Sequence, residues 1–265
     1  MRIHGSIFMV LSLLVAAANA QEPAAARALV DEAIVAHGGE AALSKWPLVI
    51  ADTMGTFHGY ERTPVFFFKS EITNYGAERW RHVLDGELEG KKFRVANVLD
   101  GKRGWVKMTG NGKEETREFT PAEFDDRREG AYVNWVCTLL PLKDPDFTLT
   151  LAGEEKFSEF TWQKFVPYEI LLPAVGVRVS SKGHRDVTLF FDKESHLLVK
   201  TETRSRAGTP VEGKVETILR RHKTVEGVQR PMMLMTFHDG KPLWSHWVME
   251  YRVAQKAEAG MFGKP

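Results

Sequence analysis

Glu78-Arg79-Trp80-Arg81-His82-Val83-Leu84 and Phe93-Arg94-Val95-Ala96-Asn97-Val98-Leu99 decide the fold class. Both runs alternate with a period of two, which places successive side chains on opposite faces of a strand. Asp85-Gly86, Asp100-Gly101 and Gly110-Asn111-Gly112 read as turns between such runs. No stretch between Leu48 and Phe119 is long enough for a crossover helix, so an antiparallel meander is expected there and a parallel sheet is not.

On the N-terminal side, Pro23 to Ala36 reads as a helix. Pro23 suits a first helical position, and Leu29, Val30, Ala33, Ile34 and His37 form one stripe. Gly38-Gly39 ends it, and a further turn runs to Pro47. On the C-terminal side, Thr120-Pro121-Ala122-Glu123 announces a second helix through a capping box with proline at the first position. Phe124, Ala131, Trp135 and Leu139 recur along it, Gly130 divides it, and Pro141 stops it. Strands follow at Phe147–Leu151, 178–180, 186–191, 197–203, 211–220, 231–237 and 243–253. The expected class is mainly β (α+β): an incomplete antiparallel β-barrel, a curved sheet covered by helices.

Before all of this stands a secretory signal. Met1–Ala20 carries one charge, Arg2, then an apolar core from Ile7 to Val15, then the small-x-small site Ala18-Asn19-Ala20. The apolar stretch is shorter than the roughly 20 residues a bilayer requires. The expected organisation is 1–20 signal peptide, 21–256 a single half-barrel domain and 257–265 a frayed tail. Localisation is then periplasmic, and nothing spans a membrane once the signal is removed. The whole chain has 265 residues and a formal net charge of +1. Without Arg2 its acidic and basic residues are equal in number, so there is no general electrostatic reason to bind nucleic acid. Cys137 is the only cysteine; no internal disulfide can form, and its apolar setting reads as a buried, inert thiol.

Catalytic signatures are missing from the sequence: no H-E-x-x-H, C-x-x-C pair, G-x-S-x-G or phosphate loop occurs. The histidines lack metal-site spacing. No catalytic residue, metal or cofactor is expected. Asp125-Asp126-Arg127-Arg128-Glu129 reads as a solvated helix face with local ion pairs. Glu154-Glu155 points to opposite strand faces and forms no carboxylate pair.

Apolar groups sit on both faces of several strands: Val187, Leu189 and Phe191 against Phe190, and Met233, Met235 and Phe237 against Met232 and Leu234. Both faces are covered, or one lines an apolar cavity. Methionine-rich surfaces adapt to irregular apolar partners. The candidate cavity residues are Phe66, Phe68, Trp80, Phe93, Val95, Leu189, Phe191, Met233, Met235 and Trp247. Trp80, with Trp105 and Trp135, also reads as core packing.

The order of parts resembles the periplasmic outer-membrane lipoprotein-sorting family, the lipoprotein carriers and receptors, as a divergent member. Ala77-Glu78-Arg79-Trp80-Arg81, followed by Val98-Leu99-Asp100-Gly101-Lys102 and Trp105-Val106, is similar to that family's basic-aromatic strand and later turn and strand. Phe147–Lys156 and Val187–Lys200 carry the rest of the likeness. The resemblance implies a half-barrel around helices with a cavity for acyl chains. The implied partner is a lipid or an acylated protein, with envelope proteins as further candidates. One departure stands out. Family carriers hold a lid-closing arginine where this chain has Thr73-Asn74-Tyr75. The expected function is a non-enzymatic carrier or sensor for a lipoprotein acyl chain or other lipid-like ligand. The alternatives are an envelope interaction module with a fully packed interior and a hydrolase with a dispersed site.

Overall fold

The computed structural model describes residues 7–61, 63–163 and 166–265. The meander is present as read. Strands β1 (Leu48–Phe57), β2 (Phe66–Tyr75), β3 (Arg79–Leu88), β4 (Lys91–Asp100), β5 (Arg103–Gly110) and β6 (Lys113–Glu118) pair antiparallel, each with the next. Helix α3 (Pro121–Val136) then carries the chain to a second run: β7 (Thr148–Gln163), β8 (Val166–Ser180), β9 (Val187–Asp192), β10 (Leu198–Ser205) and β11 (Gly213–Arg220). A small hairpin, β12 (Lys223–Val225) with β13 (Val228–Arg230), precedes β14 (Met233–His238) and β15 (Lys241–Ala254). The main sheet has 13 strands in the order β6-β5-β4-β3-β2-β1-β15-β14-β11-β10-β9-β8-β7. It curves without closing into a barrel. Strands consecutive in sequence, β6 and β7, are its two edges, so α3 has to cross the inner face to connect them.

Local chemistry explains the turns. Asn111 and Gly112 have φ of 52° and 72°, the left-handed pair that a tight hairpin requires. Asp85-Gly86, in contrast, is not a turn. It lies inside β3, and the chain reverses at Glu89-Gly90. Gly86 pairs with Phe93, whose ring lies 2.4 Å from where a Cβ on Gly86 would stand. That glycine is there to admit an aromatic ring, not to reverse the chain.

Helix α1 runs Ile7–Ala36, with Pro23 inside it and not at its start. Arg2 of the expected signal lies outside the described residues. Helix α2 (Gly39–Lys45) follows directly. Thr120 caps α3 as read: its Oγ1 accepts the Glu123 N–H at 3.3 Å, and Glu123 accepts the Thr120 N–H at 2.8 Å. Gly130 does not divide the helix. Among the described residues no helix is long and apolar enough to cross a membrane.

The inner face is divided. Over β7–β9 it is filled by Ala26, Val30, Ala33 and Ile34 of α1, packed with Tyr132 and Val136 of α3 on Leu149, Val177, Val187, Leu189 and Phe191. Over β1–β4, among the described residues, α1 supplies no side chain to the space under α3. The C-terminal segment 257–265, expected to fray, instead docks on the outer face. Phe262 is buried among Leu48, Ile50, Val98 and Trp105 and stacks on Tyr75; its ring is large enough to hold the segment down. Strands β7 and β8 pair antiparallel along their length, from Thr148 with Ser180 to Gln163 with Val166.

Candidate functional site: an internal cavity beneath helix α3

The open half of the inner face forms a cavity of about 520 Å³. Alternation selects its walls. Trp80, His82 and Leu84 project from β3, with Phe93, Val95 and Asn97 from β4. Phe66, Ile72 and Asn74 come from β2, with Val49, Ala51 and Thr53 from β1. Trp244, His246, Val248 and Tyr251 come from β15, and Leu234 and Thr236 from β14. Helix α3 is the roof, with Asp126, Arg127, Gly130, Val133 and Asn134 facing in. One end is aromatic: Phe66 lies 5.3 Å from Phe93 and 6.3 Å from Trp244, ring to ring.

Phe66, Trp80, Phe93 and Val95 of the sequence-derived set therefore stand together on the wall. Phe68 points the same way but is buried behind them, 5.6 Å from Trp244 and 5.1 Å from His246. Leu189 and Phe191 lie on the inner face in the half already filled by α1. Met233, Met235 and Trp247 are on the outer face, and Met233 pairs directly with Trp247. β14 alternates as expected, with Leu234 and Thr236 as its inward residues. On β15 a bulge intervenes. Asp52 pairs with Glu250 but Thr53 pairs with Val248, so Met249 is an extra residue. This lets both Val248 and Tyr251 face inward, against a strict period of two.

The charge run on α3 is the principal correction. Asp126 and Glu129 are buried, not solvated. Asp126 accepts the backbone N–H of Arg206 at 2.7 Å and of Gly208 at 3.4 Å. Glu129 accepts from Arg185 N–H at 2.9 Å and from Arg128 at 3.0 Å, and lies 3.2 Å from His184 Nδ1. His184 stacks on Tyr132 at 3.8 Å. These contacts fasten the helix to the 181–186 and 206–209 connections at the filled side. On the cavity side Asn134 donates to Asn74 at 2.9 Å, and Arg127 lies over the Trp80 ring. The roof is strongly anchored along one edge and lightly along the other.

Two histidines face the lumen. Burial, with the His246 and Arg127 charges nearby, pushes His82 down to about 3; burial alone pushes His246 down to about 4. Both are neutral imidazoles at neutral pH. His246 Nδ1 lies 3.4 Å from Thr53 Oγ1, which is itself 2.7 Å from Ser70 Oγ. Cys137 is half-buried, and desolvation raises its thiol to about 12, far from a reactive thiolate. Among the described residues no group of three or more His, Cys, Asp or Glu side chains is placed to hold a metal ion.

No protein-family model matches the sequence. No curated protein matches it either. Solved structures do match in fold. The LolA superfamily protein NE2245 from Nitrosomonas europaea superposes with a TM-score of 0.52 at 10% identity, covering 90% of this chain and 97% of that one. A DUF1329 family protein from Desulfovibrio piger superposes at 0.50 with 10% identity, covering 91% and 97%. The chain thus has the LolA-like fold: a large curved antiparallel sheet, open at its edges, wrapped around helices.

Proposed function

We propose that the chain is a non-enzymatic periplasmic carrier or sensor that holds one acyl chain of a lipid or acylated protein between β1–β4 and α3. The observation that carries this reading is the cavity of about 520 Å³, walled by Phe66, Ile72, Leu84, Phe93 and Val95. Its size falls within the range of single small-ligand sites. Each buried methylene is worth roughly 0.8 kcal/mol, so a twelve-carbon chain gains on the order of 10 kcal/mol gross on leaving water. A molecule with that preference does not cross an aqueous compartment unaided. The fold shared with a LolA superfamily protein supports the reading. The open volume weighs against an interaction module with a packed interior.

Export is part of the proposal. Proline inside a helix removes a hydrogen bond and costs about 3 kcal/mol. Cleavage after Ala20 would leave Pro23 in the first turn, where its missing N–H is harmless.

The test is uptake of a fluorescent fatty acid by the purified protein, together with mass spectrometry of lipids that co-purify from membranes. Saturable uptake of one chain per protein supports the proposal. Protein that is repeatedly empty and takes up no probe contradicts it.

A further inference from the structure

Arg127 is a cation with unused capacity. It projects from α3 into the cavity. Among the described residues its guanidinium donates no hydrogen bond to a protein acceptor. Its ionic neighbour is Asp126 at 3.8 Å, beyond hydrogen-bonding distance. Asp126 is already engaged by the N–H groups of Arg206 and Gly208. The guanidinium is nonetheless held in place. Its carbon lies 5.6 Å from the centre of the Trp80 ring, and its Nη atoms lie 3.7 and 3.8 Å from where a Cβ on Gly208 would stand. Gly208, at φ 85°, leaves that space open.

A second, neutral side chain beside Trp80 has a free nitrogen. His82 sits next to Trp80 at 5.7 Å, and its Nε2 is buried without a partner. The acids that act on Arg127 have other partners: Asp126 accepts from the Arg206 and Gly208 N–H groups, and Glu123 from Arg117 and the Thr120 N–H. Glu129 is taken by Arg128, Arg185 and His184. The Arg127 side chain keeps 27% of its surface exposed towards the cavity, and arginine stays ionised. Its fork matches a carboxylate or phosphate in two parallel bonds.

We propose that Arg127, with His82 beside it, is a headgroup site for the carboxylate or phosphate of an anionic single-chain amphiphile. The tail of that ligand lies along the wall from Trp80 towards Phe93. This rests on the acyl-chain reading above and adds what the polar end of the ligand must be. The ligand enters with its anionic end beneath the roof helix. The cavity therefore distinguishes acids and phosphates from alcohols and esters of the same chain length.

The experiment measures binding of dodecanoate, dodecyl phosphate, dodecanol and inorganic phosphate to the full chain, its Arg127→Met variant and its Arg127→Lys variant. The wild type is expected to bind both alkyl anions at least roughly tenfold more tightly than dodecanol, the scale of a charge-assisted hydrogen bond. Arg127→Met should bind the acid and the alcohol alike, and Arg127→Lys should keep part of the preference. Equal wild-type affinity for acid and alcohol overturns the headgroup site and leaves the carrier reading standing. A preference that survives in Arg127→Met overturns it too. Inorganic phosphate binding as tightly as dodecyl phosphate identifies a free-anion site and overturns it. Failure of all three alkyl ligands overturns the carrier reading itself. If Arg127→Met does not fold, the wild-type acid-to-alcohol ratio and the Arg127→Lys variant still decide.

Discussion

The imidazoles of His82 and His246 face one another across the cavity floor with ring centroids 6.5 Å apart. One comes from β3 and the other from β15, strands separated in the sheet by β2 and β1. Both pKa values lie well below that of a free histidine, at about 3 and about 4. Those of His37 and His222 are lowered as well, by burial first.

The sign of the pH dependence follows. A histidine whose folded pKa is depressed binds its proton more readily when unfolded, so its contribution is present above about 6.5 and is lost as pH falls towards the folded value. Glu71, Glu123 and Glu216, whose pKa values are lowered through their ion pairs, lose stability in the same direction below about 4.5. Urea denaturation should show stability falling from pH 7.5 to pH 5, by up to roughly 2 kcal/mol for each strongly shifted histidine. Replacing both His82 and His246 with Phe should flatten that slope. A curve unchanged between pH 7.5 and 5 would contradict the burial of these rings.

Glu129→Ala should destabilise the protein by about 3 kcal/mol. It strips a buried carboxylate from Arg185 N–H, Arg128 and His184, and of these Arg128 keeps longer bonds to Asp125 and the Gly183 carbonyl. The denaturant midpoint should fall with little change in slope. A loss below about 0.5 kcal/mol would mean that this anchor of α3 is dispensable.

Thr120→Ala should cost about 1 kcal/mol, because it removes the side-chain half of the capping box. The change should appear as faster amide exchange over the first turn of α3. Uniform exchange rates in the variant and the wild type would contradict it.

Val95→Trp should fill the cavity from β4 and reduce fatty-acid uptake roughly tenfold or more. Met235→Ala, on the outer face of β14, should leave uptake unchanged. The pair is read in one fluorescence titration. Equal effects from both variants would show that uptake does not use the inner face.

Much of the fold could be read from local chemistry. Two-residue periods, the Asn111-Gly112 turn and the Thr120–Glu123 box each depend on neighbours in sequence. The cavity depends instead on which side of each strand the helices occupy. Alternation separates Met233 and Met235 from Leu234 correctly, yet nothing local says which set points in. Leu189 and Phe191 point in but meet α1, a contact far away in sequence. The Met249 bulge shifts the parity of β15 without any glycine or proline to mark it. Arg127 was hidden in a charge run that satisfies local pairing on paper. A signal was available: Arg127, Gly130 and Asn134 recur at helical spacing beside Ala131 and Val133, so the run overlaps the buried stripe. Asp126 and Glu129 are buried because loop N–H groups satisfy them, and no sequence pattern announces those partners.

Photo-crosslinking with a diazirine-bearing fatty acid, followed by peptide mapping, tests the central claim most directly. Adducts are expected on residues 80–84 and 93–97 and on the inward face of α3, around Gly130 and Val133. Adducts confined to Met233, Met235, Trp247 or Met249 on the outer face, or none at all, would contradict an acyl chain lodged under the helix.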